Sequence, residues 1–322
     1  MRWLKFVRRP RKNERGIALL ATLLAVSLMT ILVVDFATSS ALGYRAAANQ
    51  ADELRALYLA RSGIQVGIAV LERDSFFDAA QKNPFDSLMD IWAVRLPPIP
   101  VEGGMVSVTI VDEARKLNIN KLYSLRARQV DDKFAPVLAR LLMNIGLSTD
   151  LIPILADWID PDSVNSPGGA EARYYLQLMP PYEPRNAPMP TIGDLRALKG
   201  VDDATFFRLA NFITAAPEKA VNVNTASPEV LASLIPEFTN NPDLVKQIVA
   251  ARSFHPFAQV TDMMNLPGVG QYSGRLSPLI TTRSNYFLIT GQGSFAGAKR
   301  RIYASVRRNS NGSAMLISWH ED

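Results

Sequence analysis

The 322-residue chain has no cysteine, which removes disulfides, thiolate metal sites and cysteine nucleophiles together. Histidine is nearly as scarce, with only His255 and His320. Without a P-loop or a nucleophile motif either, catalysis has little to stand on. His255 in "SFHPF" reads as a packing or helix-capping residue. Proline is missing from the whole interval between Pro10 and Pro84, so nothing there breaks a long helix. Charge is missing from Ile17 to Val34, and Asp35 ends that run.

A basic body is missing too, despite a pI near 9.4. Seven of the 35 basic residues and one of the 30 acidic ones precede Gly16, leaving 28 against 29. The basicity is a patch beside an apolar segment, the arrangement that keeps a flank on the cytoplasmic side of a membrane. It gives no support to a polyanion-binding surface.

What is present begins with that segment. Eighteen apolar or small residues in a helix rise about 27 Å, close to the hydrocarbon thickness of a bilayer. "TSSA" at 38–41 offers a conventional signal-peptide cut site as the alternative reading. Against it, the run is long and the helical pattern continues: Leu54, Leu57, Tyr58, Ile64, Ile68 and Leu71 form an amphipathic stripe. A helix from Ile17 to about Arg73 is expected, half in lipid and half against a globular domain.

Alternating Val106, Val108 and Ile110 mark a strand within "GGMVSVTIVDE". "NYFLITGQGSF", "KRRIYASVRRN" and "SAMLISWHED" mark three more near the carboxyl end. Between them the pattern is helical, with caps at Ser148 or Thr149, Thr191, Asp202 or Asp203, Ser227 and Asn241. The expected fold class is therefore α+β: a long amino-terminal helix plus a small antiparallel sheet, interrupted by a large, mainly helical insertion. The divisions are a leader (1–16), a transmembrane part of the helix (17–36), an α+β domain from 37–113 and 281–322, and the insertion (114–280). Trp92, Trp158 and the Tyr174–Tyr175 pair read as core or interface residues.

Two motifs carry chemistry. "NVNTASPEVLASL" and "LPGVG" suggest helix-hairpin-helix or SAM-like elements within the insertion, in an order similar to that of membrane-anchored DNA receptors of competence systems. Where the first hairpin needs a glycine turn, however, the chain reads "EFTNNPD". Compact helix packing is the other reading. The second motif is the loop "ADWIDPDSVNSPGGAEARYYLQLMPPYEPRNAPM". Asp160, Asp162, Asn165 and Glu171 offer hard oxygen ligands on irregular backbone, which suits Ca²⁺. Asx turns and helix caps are the alternative use of the same side chains.

The basic leader ending in Gly16, the apolar helix directly after it and its amphipathic continuation resemble a type IV prepilin-like signal. That resemblance implies cleavage between Gly16 and Ile17 by a prepilin peptidase, with methylation of the new terminus. Most pilins carry Glu at the fifth mature position, where this chain has Ala21, as expected of a subunit at a filament end. "DWIDPD", "GAE", "PPYEPRNAPM", "DLRALKG" and "NVNTA" resemble the large minor pseudopilin of type II secretion systems, general secretion pathway protein K. The resemblance implies a non-enzymatic subunit in the bacterial inner membrane, with a single span and a periplasmic body. It further implies a place at the pseudopilus tip with I- and J-type minor pseudopilins and the major pseudopilin, without nucleic acid. It also implies Ca²⁺ at Asp160, Asp162 and Glu171; Ala172 stands where the family usually adds a further Asp.

Overall fold

The computed structural model describes residues 12–80, 82–95 and 97–321, without the side chains of 12–15. The leader positions from Arg2 to Arg11 lie outside the described residues. One helix, α1, spans Lys12–Asp78 without a break, 67 residues or about 100 Å. It starts ahead of Gly16 and runs five residues past the expected end at Arg73. Every residue from Gly16 to Ala51 is exposed. Within the apolar run the threonines bond to their own helix: Thr22 Oγ1 donates to Leu19 O (2.9 Å) and Thr30 Oγ1 to Val26 O (2.8 Å). Hydroxyls satisfied in this way are compatible with lipid. It is the one helix among the described residues long and apolar enough to cross a membrane.

The second half of α1 lies on a five-stranded antiparallel sheet: β1 (Ile99–Val101), β2 (Gly104–Asp112), β3 (Tyr286–Phe295), β4 (Ala298–Arg308) and β5 (Ala314–Glu321), in that order. β2 pairs β3 from Gly104↔Phe295 to Asp112↔Phe287, so strands far apart in sequence are central neighbours. Val106, Val108, Ile110, Phe287, Ile289, Ile302, Ala304 and Val306 face the helix and are buried. Trp92 closes this core edge-on to Phe287, with ring centroids 5.3 Å apart.

The buried stripe of α1 differs from the expected one. Leu54 and Tyr58 are exposed, and the helix meets the sheet through Ala56, Ala60, Gly63, Ile64, Gly67 and Leu71. The sheet answers with Gly291 and Gly293. A Cβ on Gly293 would stand 2.0 Å from Ala56 O, and one on Gly291 2.3 Å from Ala60 O. Small residues on both surfaces bring the helix backbone into contact with the sheet backbone, a proximity that larger side chains prevent.

Between β2 and β3 the chain builds a separate hydrophobic core. Its helices are α2 (Phe134–Asn144), α3 (Leu151–Ile159), α4 (Ala172–Tyr175), α5 (Asp203–Ala210), α6 (Pro228–Leu234), α7 (Pro236–Asn240), α8 (Pro242–Phe254), α9 (Val260–Met264) and α10 (Ser273–Leu276). Asp202 and Ser227 cap as expected, accepting from Thr205 N (2.8 Å) and Val230 N (3.4 Å). Asn241 makes no side-chain cap bond, and "TIGDLRALKG" forms a 3₁₀ helix over Ile192–Ala197. His255 ends α8 through its backbone, donating to Ala251 O (3.0 Å).

Candidate metal centre and domain junction

The last turn of α3 carries Asp157 on the helix's buried side, and Asp160 is the residue that ends the helix. The chain then turns through Gly168 (φ +85°) and Gly169 and returns Glu171 as the residue before α4. Carboxylate oxygens of Asp157, Asp160 and Glu171 lie within 4.8 Å of one another, and all three residues are buried. Gly169 is required by this approach, because a Cβ there would stand 2.0 Å from Asp157 Oδ2.

The charges in this trio are poorly satisfied. Asp157 accepts from Ser166 N (3.1 and 3.3 Å). Asp160 Oδ1 and both oxygens of Glu171 are buried without a hydrogen-bond partner. Burial, then the neighbouring carboxylates, pushes Glu171 up to about 7 and Asp160 up to about 6. Orphaned carboxylate oxygens in a buried cluster are costly unless protonated or met by a cation. An all-carboxylate donor set on a loop fits a hard divalent ion such as Ca²⁺. Surrounding aromatics hold the loop: Trp158 and Tyr175 pack edge-on at 5.3 Å, and Tyr182 Oη donates to Ala197 O (2.7 Å).

The sequence expectation and the structure differ by one ligand. Asp160 and Glu171 come together as expected, but Asp162 does not join them. It is exposed, and its Oδ1 accepts from Val164 N (2.8 Å) in an Asx turn. Asn165 is exposed too and donates to Ser166 O (3.2 Å). The third carboxylate is Asp157. Its signal was an acid set among Ile154, Leu155 and Trp158 on the buried side of a short helix. Asn186 of "PPYEPRNAPM" steadies the loop by donating to Asp162 O (2.6 Å).

A second acidic trio, Asp74, Asp86 and Asp90, sits where the insertion meets the unit formed by α1 and the five-stranded sheet. Here the chain supplies the cation. Arg308, the last residue of β4 and buried, pairs with Asp74 (3.2 Å) and with Asp86, and donates to Ser284 O (2.9 Å). Burial and then the Asp90 charge still push Asp74 up to about 7. "NVNTA" completes this junction. Asn222 Nδ2 reaches Asp86 O (3.1 Å), Asp112 Oδ2 (3.2 Å) and Ser284 Oγ (2.9 Å), while Thr225 Oγ1 donates to Asp112 Oδ2 (2.6 Å). Glu218 accepts from the amides of Asn285 and Tyr286 (both 2.7 Å). "LPGVG" packs as well, with Val269 buried and Arg275 paired to Glu237 (2.7 Å).

Comparison with known proteins decides the family. Two family models, both described as type II secretion system (T2SS), protein K, match residues 115–218 and 221–283. Type II secretion system protein K of Pseudomonas aeruginosa is 31% identical over 318 residues, covering 96% of this chain and 93% of its own. The chain belongs to the type II secretion system protein K family. The Klebsiella pneumoniae protein K is 30% identical over 293 residues, covering 86% and 87%. The crystal structure of the GspK-GspI-GspJ complex from enterotoxigenic Escherichia coli shares the fold, with TM-score 0.72 at 18% identity, covering 86% of this chain and 99% of that one. The protein K fold, a long helix and antiparallel sheet with a helical insertion, is that of a minor pseudopilin of type II secretion. The DNA-receptor alternative has no support: "NVNTA" is consumed by the junction.

Proposed function

We propose that this protein caps the tip of a periplasmic pseudopilus as a non-enzymatic subunit, together with I- and J-type minor pseudopilins and the major pseudopilin. The observation that carries this is the seat of the insertion. Asp74, four residues from the end of α1, and Asp86, Asp112 and Arg308 tie it to the end of the helix opposite the apolar run. A bulky helical body fixed there would hinder a further subunit from stacking above. Ala21 agrees, since it offers no carboxylate to the terminal amine of a following subunit. The solved complex of a protein K with GspI and GspJ supports the choice of partners.

Under this reading a prepilin peptidase cuts between Gly16 and Ile17 in the inner membrane, and the exposed run from Ile17 leads the mature chain. Asp157, Asp160 and Glu171 would hold a Ca²⁺ ion, which supplies the positive charge their orphaned oxygens lack. Its task is structural: it fixes the loop between α3 and α4. Mass spectrometry of the mature terminus tests the pathway. A start at methylated Ile17 in the wild type, lost in Gly16→Ala together with secretion, is expected; a start after Ala41 overturns it. An epitope in the insertion should mark only the ends of overproduced pseudopili, and labelling along their length would refute the tip assignment.

A further inference from the structure

The sheet has two unlike edges. β1 is three residues long, and Pro100 at its centre has no N–H to offer a further strand. β5 has eight residues with no proline, glycine or lysine, and among the described residues no strand pairs with its outer side. Its Met315, Leu316, Ile317 and Trp319 are 40–48% exposed. A long apolar edge left open is a template for pairing with another chain, and folded proteins usually blunt it.

The register shows what lies beside that edge. Leu316 and Trp319 stand opposite Val306 and Ala304, whose side chains are buried under α1. The two therefore sit on the helix side of the sheet, beyond its last paired strand. Helix α1 pins β5 at both ends. Glu72 accepts from Ala314 N (3.1 Å), and Arg61 pairs with Glu321 (3.0 Å) while stacking over Trp319 at 5.0 Å. Between the pins Leu316, Trp319 and the helix flank remain open. Arg61 also stacks over Tyr58 at 5.7 Å, and exposed Tyr58 and Leu54 continue the apolar surface along α1 to the run at Ile17.

We propose that β5 accepts one extended strand from a neighbouring minor pseudopilin, whose alternating apolar residues cover Leu316 and Trp319. This rests on the reading that such subunits assemble along α1. The occupant follows from continuity: a subunit whose helix packs on that exposed surface meets the β5 edge where its own globular part begins. The register break between Ser305 and Val306 makes Ile317 an extra, unpaired residue. A bulge of this kind adds twist, which suits one short added strand and opposes open-ended stacking.

The absence of cysteine makes the test clean, because any introduced cysteine is unique. The full chain carrying Ser318→Cys is co-expressed with its I- and J-type pseudopilins, each scanned with single cysteines. Crosslinks at alternate positions of one partner strand are expected, and none from Val101→Cys on β1. Leu316→Lys should lower the partner recovered by at least tenfold while leaving the melting temperature unchanged. Co-purification that persists with no β5 crosslink, or a crosslink only between two copies of this chain, overturns the inference alone. Failure of the wild type to co-purify with either partner overturns it together with the assembly reading.

Discussion

The trio of Asp157, Asp160 and Glu171 makes a quantitative prediction about calcium and pH. Raising a carboxylate from 3.8 to about 6, or from 4.5 to about 7, disfavours its ionised form by about 1.4 kcal/mol per pKa unit. The same mutual repulsion enters both values, and water reaches the rim of the loop. Discounting for these leaves about 2–3 kcal/mol lost above pH 7 when no ion is bound. The sign follows from linkage. Both pKa values are raised in the folded state, so the stability contributed by the protonated carboxyls is complete below about pH 4. It is lost as pH rises through about 6 for Asp160 and about 7 for Glu171. A cation reverses the balance at high pH, where it competes with no protons.

Differential scanning fluorimetry of the full chain in detergent reads this directly. At pH 8, millimolar Ca²⁺ should raise the melting temperature over an EDTA control by about 5–10 °C. At pH 5 the shift should shrink to a small fraction of that. Glu171→Gln should abolish the response, while Asp162→Asn should preserve it, because Asp162 lies outside the trio. An undiminished response in Glu171→Gln, or none in the wild type at pH 8, would refute the assignment. Gly169→Ala supplies an orthogonal check, since its Cβ collides with Asp157 Oδ2 and the calcium response should fall with an intact acidic set.

Two further predictions concern the scaffold. Arg308→Met leaves Asp74 and Asp86 buried without their cation, and urea denaturation should show a loss of about 3–5 kcal/mol; a loss below about 1 kcal/mol would mean that water already reaches the junction. Gly293→Ala forces α1 away from the sheet, because its Cβ meets the backbone oxygen of Ala56, and should cost about 1–3 kcal/mol. The same substitution at exposed Gly43, where nothing lies within 4 Å, should be neutral or slightly stabilising in circular-dichroism melts.

Features governed by period and length were readable from residues alone. The proline-free interval foretold α1, period-two alternation foretold β2, and β-like runs separated by turn residues foretold β3 to β5. The buried face of α1 was not readable in the same way. Hydropathy favours large apolar side chains and so selected Leu54 and Tyr58, whereas close helix–sheet packing favours Ala56, Ala60, Gly63 and Gly67. Gly291 and Gly293, two apart on one strand, were the visible counterpart of that requirement. In the acidic loop, residue type identified Asp160 and Glu171, but spacing could not separate Asp162 from Asp157. That choice depends on which side of α3's last turn faces the core, a fact of tertiary packing.

The two acidic trios show why composition alone does not define a metal site. Each brings three carboxylates within 4.8 Å, and in each, burial raises carboxyl pKa values. At the junction Arg308 supplies a covalently attached cation, and hydrogen bonds from Asn222 and Ser284 complete the network. An added ion there would have to displace a buried guanidinium, which carries a large penalty. Around Asp157, Asp160 and Glu171 no lysine or arginine among the described residues forms an ion pair, and three oxygens remain without donors. The first arrangement joins the insertion to the pilin-like part with a cation that the chain itself carries. Under the proposed calcium reading the second would tie the order of one loop to an ion supplied from outside, so calcium should change the loop's stability without loosening the junction that places it.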